Sequence, residues 1–281
     1  MRLASRLHHF LDNPRRSVSN VRYRWREHWR RQTTQVNPQP ILIFGNQKSG
    51  TSAITTLLGE ATGLSYTIDI FCLYANLEEQ ILAGQNSFDE LLHKGRYYFS
   101  KDIIKDPGLT FFYSELRTRF PQAKRVFILR DPRQNIRSIL NRLGLPGHLQ
   151  DLSAEDWHRV RRDTPSWLPV LDGRLAGHHG RTHIETLALR CKKAFQIYLQ
   201  HQAEVTPIYY ETFKANKIGT IQTLARLLGL SVVHDISYLQ DVQFQPKGNA
   251  SVSLEAFFGP DNFNLIETIC GETMTAVGYR L

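Results

Sequence analysis

Ile41-Leu42-Ile43-Phe44-Gly45-Asn46-Gln47-Lys48-Ser49-Gly50-Thr51-Ser52 is the stretch that decides the fold. Its first four residues are apolar and run into a glycine, the pattern of a short strand buried on both faces. Beyond the loop, Ile54, Leu57, Leu58 and Ala61 recur at helical spacing, and Gly63 supplies a C-cap. The order is strand, glycine-bearing loop, helix. A second such unit starts at Val126-Phe127-Ile128-Leu129, with Asp131 as N-cap, Pro132 at the first helical position, and Ile136, Ile139, Leu140 and Leu143 on one face. A third apolar stretch, Pro207-Ile208-Tyr209-Tyr210, precedes a helix marked by Ile218, Ile221, Leu224, Ala225 and Leu228 and closed by Gly229. Buried strands alternating with amphipathic helices predict an α/β fold of three layers around a central parallel sheet.

The loop itself is built for an anion. Gly45 and Gly50 let the backbone turn its N–H groups inward, the following helix points its positive end at the same place, and Thr51 and Ser52 add hydroxyls. A Walker A loop carries its lysine directly after the second glycine. Here Thr51 stands there, and the lysine, Lys48, lies inside the loop. The second strand runs into Arg130, where a magnesium-binding strand end would offer a carboxylate. Cations and hydroxyls with no metal ligand suit a donor of lower charge than ATP.

The 281 residues are enough for one large α/β domain, and the net charge of +9 points to an anionic partner without choosing which. Cys72, Cys191 and Cys270 are widely spaced and odd in number, so neither a disulfide framework nor a zinc site is implied. No apolar run reaches the roughly 20 residues of a membrane span, and the N-terminus lacks a signal-peptide core; the expectation is a cytoplasmic protein. Residues 1–40 read as a basic helical arm, helical from Ser17 to Gln32, with arginines interleaved among Tyr23, Trp25 and Trp29. Its arginines do not form a single face, which favours packing on the body or on a neighbouring subunit, the latter compatible with a homodimer, over a nucleic-acid or membrane arm. Residues 41–281 form the main domain. A glycine- and proline-rich insertion at about 144–183, holding Trp157 and Trp167, reads as a lid over a site.

At this point the chain resembles the sulfotransferases that use 3′-phosphoadenosine-5′-phosphosulfate (PAPS). Lys48-Ser49-Gly50-Thr51 after a strand looks like their 5′-phosphosulfate loop, and Arg130-Asp131-Pro132-Arg133 followed by Ser138 looks like their 3′-phosphate motif. Phe120 to Lys124, Tyr210-Glu211-Thr212-Phe213 with Leu228-Gly229-Leu230, and Lys247-Gly248-Asn249 are similar to further family segments. The resemblance implies PAPS as co-substrate, its product 3′-phosphoadenosine-5′-phosphate (PAP), and no metal. It implies a nucleotide site made of Lys48, Ser49, Gly50, Thr51, Ser52, Arg130, Ser138, Tyr210, Lys247 and Gly248. For catalysis, members of the tyrosylprotein type place a glutamate where this chain has Asp69, and carry a Lys-Asp-Pro matched by Lys105-Asp106-Pro107. The resemblance therefore assigns Asp69 as general base, Lys105 as stabiliser of the transferring sulfonate, and Lys48 as stabiliser of the leaving phosphate. The expected acceptor is a small molecule with a hydroxyl or amine, in the setting of secondary metabolism. The rival readings are a phosphate-loop kinase or NTPase, and an inactive protein that still binds PAP or PAPS.

Overall fold

The structure is a computed structural model that describes residues 34–71, 77–173, 179–242 and 251–280. The basic arm up to residue 33, Cys72, and the segment containing Lys247 and Gly248 lie outside the described residues.

Five short strands form one parallel sheet: β1 (Ile41–Gly45), β2 (Tyr66–Ile68), β3 (Ile103–Lys105), β4 (Lys124–Leu129) and β5 (Thr206–Tyr209), in the order β2-β3-β1-β4-β5. Register is continuous across the centre, with Ile43 beside Lys105 on one flank and Val126 on the other. Alternation along the strands sends side chains to two separate cores. Leu42, Phe44, Ile104, Phe127 and Leu129 enter one. Ile41, Ile43, Ile103, Val126 and Ile128 enter the other. Each face is covered by helices, as a sheet apolar on both sides requires.

The thinner layer holds α1 (Thr51–Thr62), the helix opened by the loop. Its Ile54, Leu57, Leu58 and Ala61 are all fully buried, and Gly63 closes it in the left-handed region at φ 71°. The thicker layer holds α2 (Leu77–Leu82), α3 (Phe88–Lys94), α4 (Tyr113–Arg119) and α5 (Pro132–Leu143). In α5, Asp131 accepts the Arg133 N–H and Pro132 fills the first turn, as the sequence predicts. The insertion folds as α6 (Ala154–Asp163), a short 3-10 turn and α7 (Leu168–Leu171), with Ser153 and Asp156 forming a reciprocal capping box. Val160, Val170 and Leu171 are buried, and Trp157 and Trp167 pack on the same core.

Several elements went unread in the sequence, α2, α3 and α4 among them. The helix α8 (His183–His201) lies under the loop, and after β5 the chain continues through α9 (Tyr210–Ala215) and α10 (Lys217–Leu227) to the long α11 (Leu254–Ala276), kinked at Gly259-Pro260, which packs along α8. Strand β3 was also unread, because three residues between Asp102 and Asp106 show no alternation to detect. No helix among the described residues is long and apolar enough to cross a membrane.

The seam between α1 and the sheet edge is tight at Gly59, where an added Cβ would overlap the Tyr66 ring. Alanine in place of a helical glycine ordinarily stabilises by up to about 1 kcal/mol. Here the overlap reverses the sign, so Gly59→Ala lowers the melting temperature, by about 1–3 kcal/mol of stability in chemical denaturation; an unchanged or raised midpoint would contradict this packing.

Candidate active site

All five strands point their carboxyl ends at one edge of the sheet, where Asp69, Lys105, Arg130 and Tyr210 sit in or directly after a strand end and Lys48 to Ser52 form the loop and first helical turn after β1. Gly45 ends β1, Asp69 follows β2, Lys105 ends β3, Arg130 follows β4 and Tyr210 follows β5. The chain runs from β1 to β2 and β3 on one side of it and then crosses to β4 and β5 on the other, so strand order reverses at β1, the place where open α/β sheets bind ligands.

The loop has the shape its glycines predict. Gly45 has φ 140° and approaches the Ile128 carbonyl so closely that a Cβ would lie 2.8 Å from it. Gly50 has φ 92°, and its missing side chain leaves room for the Tyr210 ring, which a Cβ would meet at 2.5 Å. Lys48 is itself left-handed at φ 63°, a conformation a lysine adopts only when its surroundings impose it. The Thr110 hydroxyl bonds both the N–H and the carbonyl of Gly45, at 2.9 and 3.0 Å. No side chain caps the start of α1, whose first turn opens toward the loop.

Beneath the loop lies a polar support that the sequence reading missed. Arg190 of α8 is 2% exposed and donates to the side-chain oxygens of Asn46 (3.1 Å) and Gln47 (2.7 Å), with its guanidinium 4.2 Å over the Phe111 ring. Asn135 of α5 donates to the Gln47 carbonyl at 2.8 Å and accepts from Asn46 at 3.0 Å. The signal was an arginine on the apolar face of Leu187-Ala188-Leu189-Arg190-Cys191, too common a pattern to read alone. Cys191, beside this network, is pushed up to about 12 by burial and is an inert thiol at neutral pH.

The cations surround the loop. Arg130 donates to the Lys48 carbonyl and lies 4.2 Å over the Tyr210 ring, and burial pulls its pKa down. Lys105 is 2% exposed; its ammonium donates to the Ser52 hydroxyl at 2.9 Å and to Asp69 at 2.5 Å. Asp69 is left-handed at φ 59°, with its side chain 40% exposed. Burial, then the charges of Arg142, Arg130 and Lys105, bring Lys48 down to about 8. Arg142 is one helical turn beyond Ser138 on α5, and no motif had singled it out. Ser138 is half-buried, whereas Arg137 turns away to the Val252 carbonyl and Gln134. Asp131 pairs with Arg133, which also binds Glu267, so Arg130 is not its partner. Among the described residues no cluster of three His, Cys, Asp or Glu is arranged to hold a metal.

No family model matches the sequence, and no curated protein matches it. Solved structures do. The chain superposes on the sulfotransferase STF9 from Mycobacterium avium with a TM-score of 0.59, covering 93% of this chain and 82% of that one at 12% identity. It has the sulfotransferase fold. Further similar structures are mouse sulfotransferase SULT7A1 complexed with PAP (TM-score 0.49, 12% identity, 87% and 88% coverage) and a sulfotransferase from Alicyclobacillus acidocaldarius (TM-score 0.46, 16% identity, 83% and 96% coverage). In this fold the glycine loop is the turn between β1 and α1.

The lowered Lys48 has a measurable consequence. An anion in the loop favours the charged ammonium, so affinity is full below pH 8 and falls as pH rises through about 8. Calorimetric titration with pyrophosphate between pH 6.5 and 9.5 is expected to show that decline in the parent and a flatter profile in Lys48→Met. Identical profiles would remove Lys48 from the anion site.

Proposed function

We propose that this chain transfers a sulfuryl group from PAPS to a hydroxyl or amine of a small-molecule acceptor. One observation carries the reading: Lys105, Lys48 and Arg130, from the ends of β3, β1 and β4, close around a single glycine loop, with Lys105 buried against Ser52 of α1. The site fits the co-substrate. The absent Cβ of Gly50 lets the Tyr210 ring close against the loop, and the crowding of like charges around Lys48 is relieved by an anion.

The loop backbone, Lys48, Ser49, Gly50, Thr51 and Ser52 hold the 5′-phosphosulfate. Arg130 swings from the Lys48 carbonyl to take the 3′-phosphate together with Ser138, while Tyr210 forms the wall behind Gly50. Lys247 and Gly248 complete the nucleotide site. The acceptor attacks sulfur in line with the bond to the 5′-phosphate. Asp69 takes the acceptor proton, the sulfur–oxygen bond to phosphate breaks, and its electron pair stays on the departing phosphate, where Lys48 and the start of α1 stabilise it. Lys105 stands between Asp69 and Ser52 and turns its hydrogen bond to the sulfonate as charge spreads over its oxygens. Residues 144–183 act as the lid over the acceptor. The reaction uses no metal.

Thermal shift with PAP against ATP–Mg²⁺ separates this reading from a kinase or NTPase. PAP raises the melting temperature and ATP–Mg²⁺ does so less; the reverse order would overturn the donor assignment. Asp69→Asn is expected to lose about 100-fold or more in turnover of PAPS while keeping PAP affinity; turnover within twofold of the parent would remove Asp69 as base.

A further inference from the structure

Lys105 is followed by Asp106, a carboxylate that the chemistry above does not use. It is 4% exposed, so it cannot touch an acceptor. Its two oxygens are both engaged. One accepts the Gly108 N–H at 2.8 Å, capping the 3-10 turn Pro107–Phe112. The other accepts the Phe71 N–H at 2.8 Å, across from the end of β3 to the turn after β2. Pro107 has no N–H of its own, so the cap reaches Gly108 and leaves the second oxygen facing Phe71.

That second bond matters because of what it spans. Asp69 stands between Ile68, the last residue of β2, and Phe71, and it adopts φ 59°. A left-handed aspartate costs of order 1 kcal/mol and persists only where the surroundings impose it. Two bonds impose it here: Asp69 N–H to the Lys105 carbonyl at 3.0 Å, and Phe71 N–H to Asp106. Both come from adjacent residues of the Lys105-Asp106 pair, and together they bring the Asp69 carboxylate onto the Lys105 ammonium. Burial, then the charge of Asp69, push Asp106 up to about 6, while Lys105 and the two N–H donors act the other way. A carboxylate held at such a cost does something an amide would do less well: it offers two oxygens to two N–H groups arriving from opposite sides.

We infer that Asp106 is the positioning residue of the site, tying the turn after β2 to the end of β3 so that the Asp69 carboxylate is held on the Lys105 ammonium beside the transfer point. This rests on the reading that Asp69 and Lys105 act in sulfuryl transfer. Asp106 acts through them and never meets the substrate.

The test compares the parent with Asp106→Ala, which loses both acceptors, and Asp106→Asn, which keeps one and guards against an alanine variant that fails to fold. Three readings are taken: crystal structures, PAP affinity by calorimetry, and release of sulfate from PAPS into water. In Asp106→Ala, Asp69 is expected to leave the left-handed region and lose Lys105. PAP affinity stays within about twofold and sulfate release falls about 30-fold or more at unchanged KM, the loss expected for misplaced groups; Asp106→Asn falls between. An alanine variant, or failing it the asparagine variant, that keeps the Asp69 turn and the Lys105 contact would overturn the inference. So would a loss of PAP affinity as large as the loss of turnover. A parent that binds no PAP would instead overturn the proposed function, and the two crystal structures would still decide what Asp106 holds.

Discussion

Crowding of like charge around one small loop is the constraint on which the rest of the structure depends. Lys48 is half-buried beside Arg130, Lys105 and Arg142, and burial first, then these neighbouring charges, lower its pKa. In a folded chain such crowding lowers stability while Lys48 is charged: the unfolded lysine binds its proton more tightly, so this contribution to stability improves as pH rises from about 8 toward 10.5. The arrangement is the opposite of what packing alone would select. It is what an anion site requires, since preorganised positive charge in a partly dry cleft interacts far more strongly than the same charges in water.

Holding charges together demands rigid support, and the fold supplies it from both cores. The parallel sheet brings three cation-bearing strand ends side by side at the strand-order reversal. Thr110 fixes Gly45 from one side, while Arg190 and Asn135 fix Asn46 and Gln47 from below. Tyr210 presses on Gly50 and stacks under Arg130, so one ring links the loop to the end of β4. Asp106 extends the same support to the Asp69 turn. The chain's close is also drawn in: the Tyr279 hydroxyl donates to Glu211, which accepts the Asp131 N–H, and the Tyr209 hydroxyl donates to the Val277 carbonyl.

What the sequence revealed and concealed divides along the range of the interactions. The β1–loop–α1 unit, the Asp131-Pro132 start of α5 and the Gly63 cap are all set by neighbours within a turn, and each was legible. Strand β3 takes its identity from pairing with β1 and β2, so three residues of it carry no local signature. Arg190 and Asp106 are polar residues whose partners lie far along the chain, at Asn46 and Phe71. Lys105 and Asp69 were reached by resemblance alone; that they touch is a property of the sheet order, which places β2 beside β3. The insertion was visible as a change in composition, but not that its tryptophans pack on the main core.

The central claim is that this loop and these cations hold a 3′,5′-bisphosphate. A crystal structure of the protein grown with PAP tests it most directly. The account predicts the 5′-phosphate in the turn from Lys48 to Ser52 and the 3′-phosphate on Arg130 and Ser138, with Arg130 released from the Lys48 carbonyl. Nucleotide bound with its phosphates reversed, or bound away from the β1–α1 loop, would contradict it.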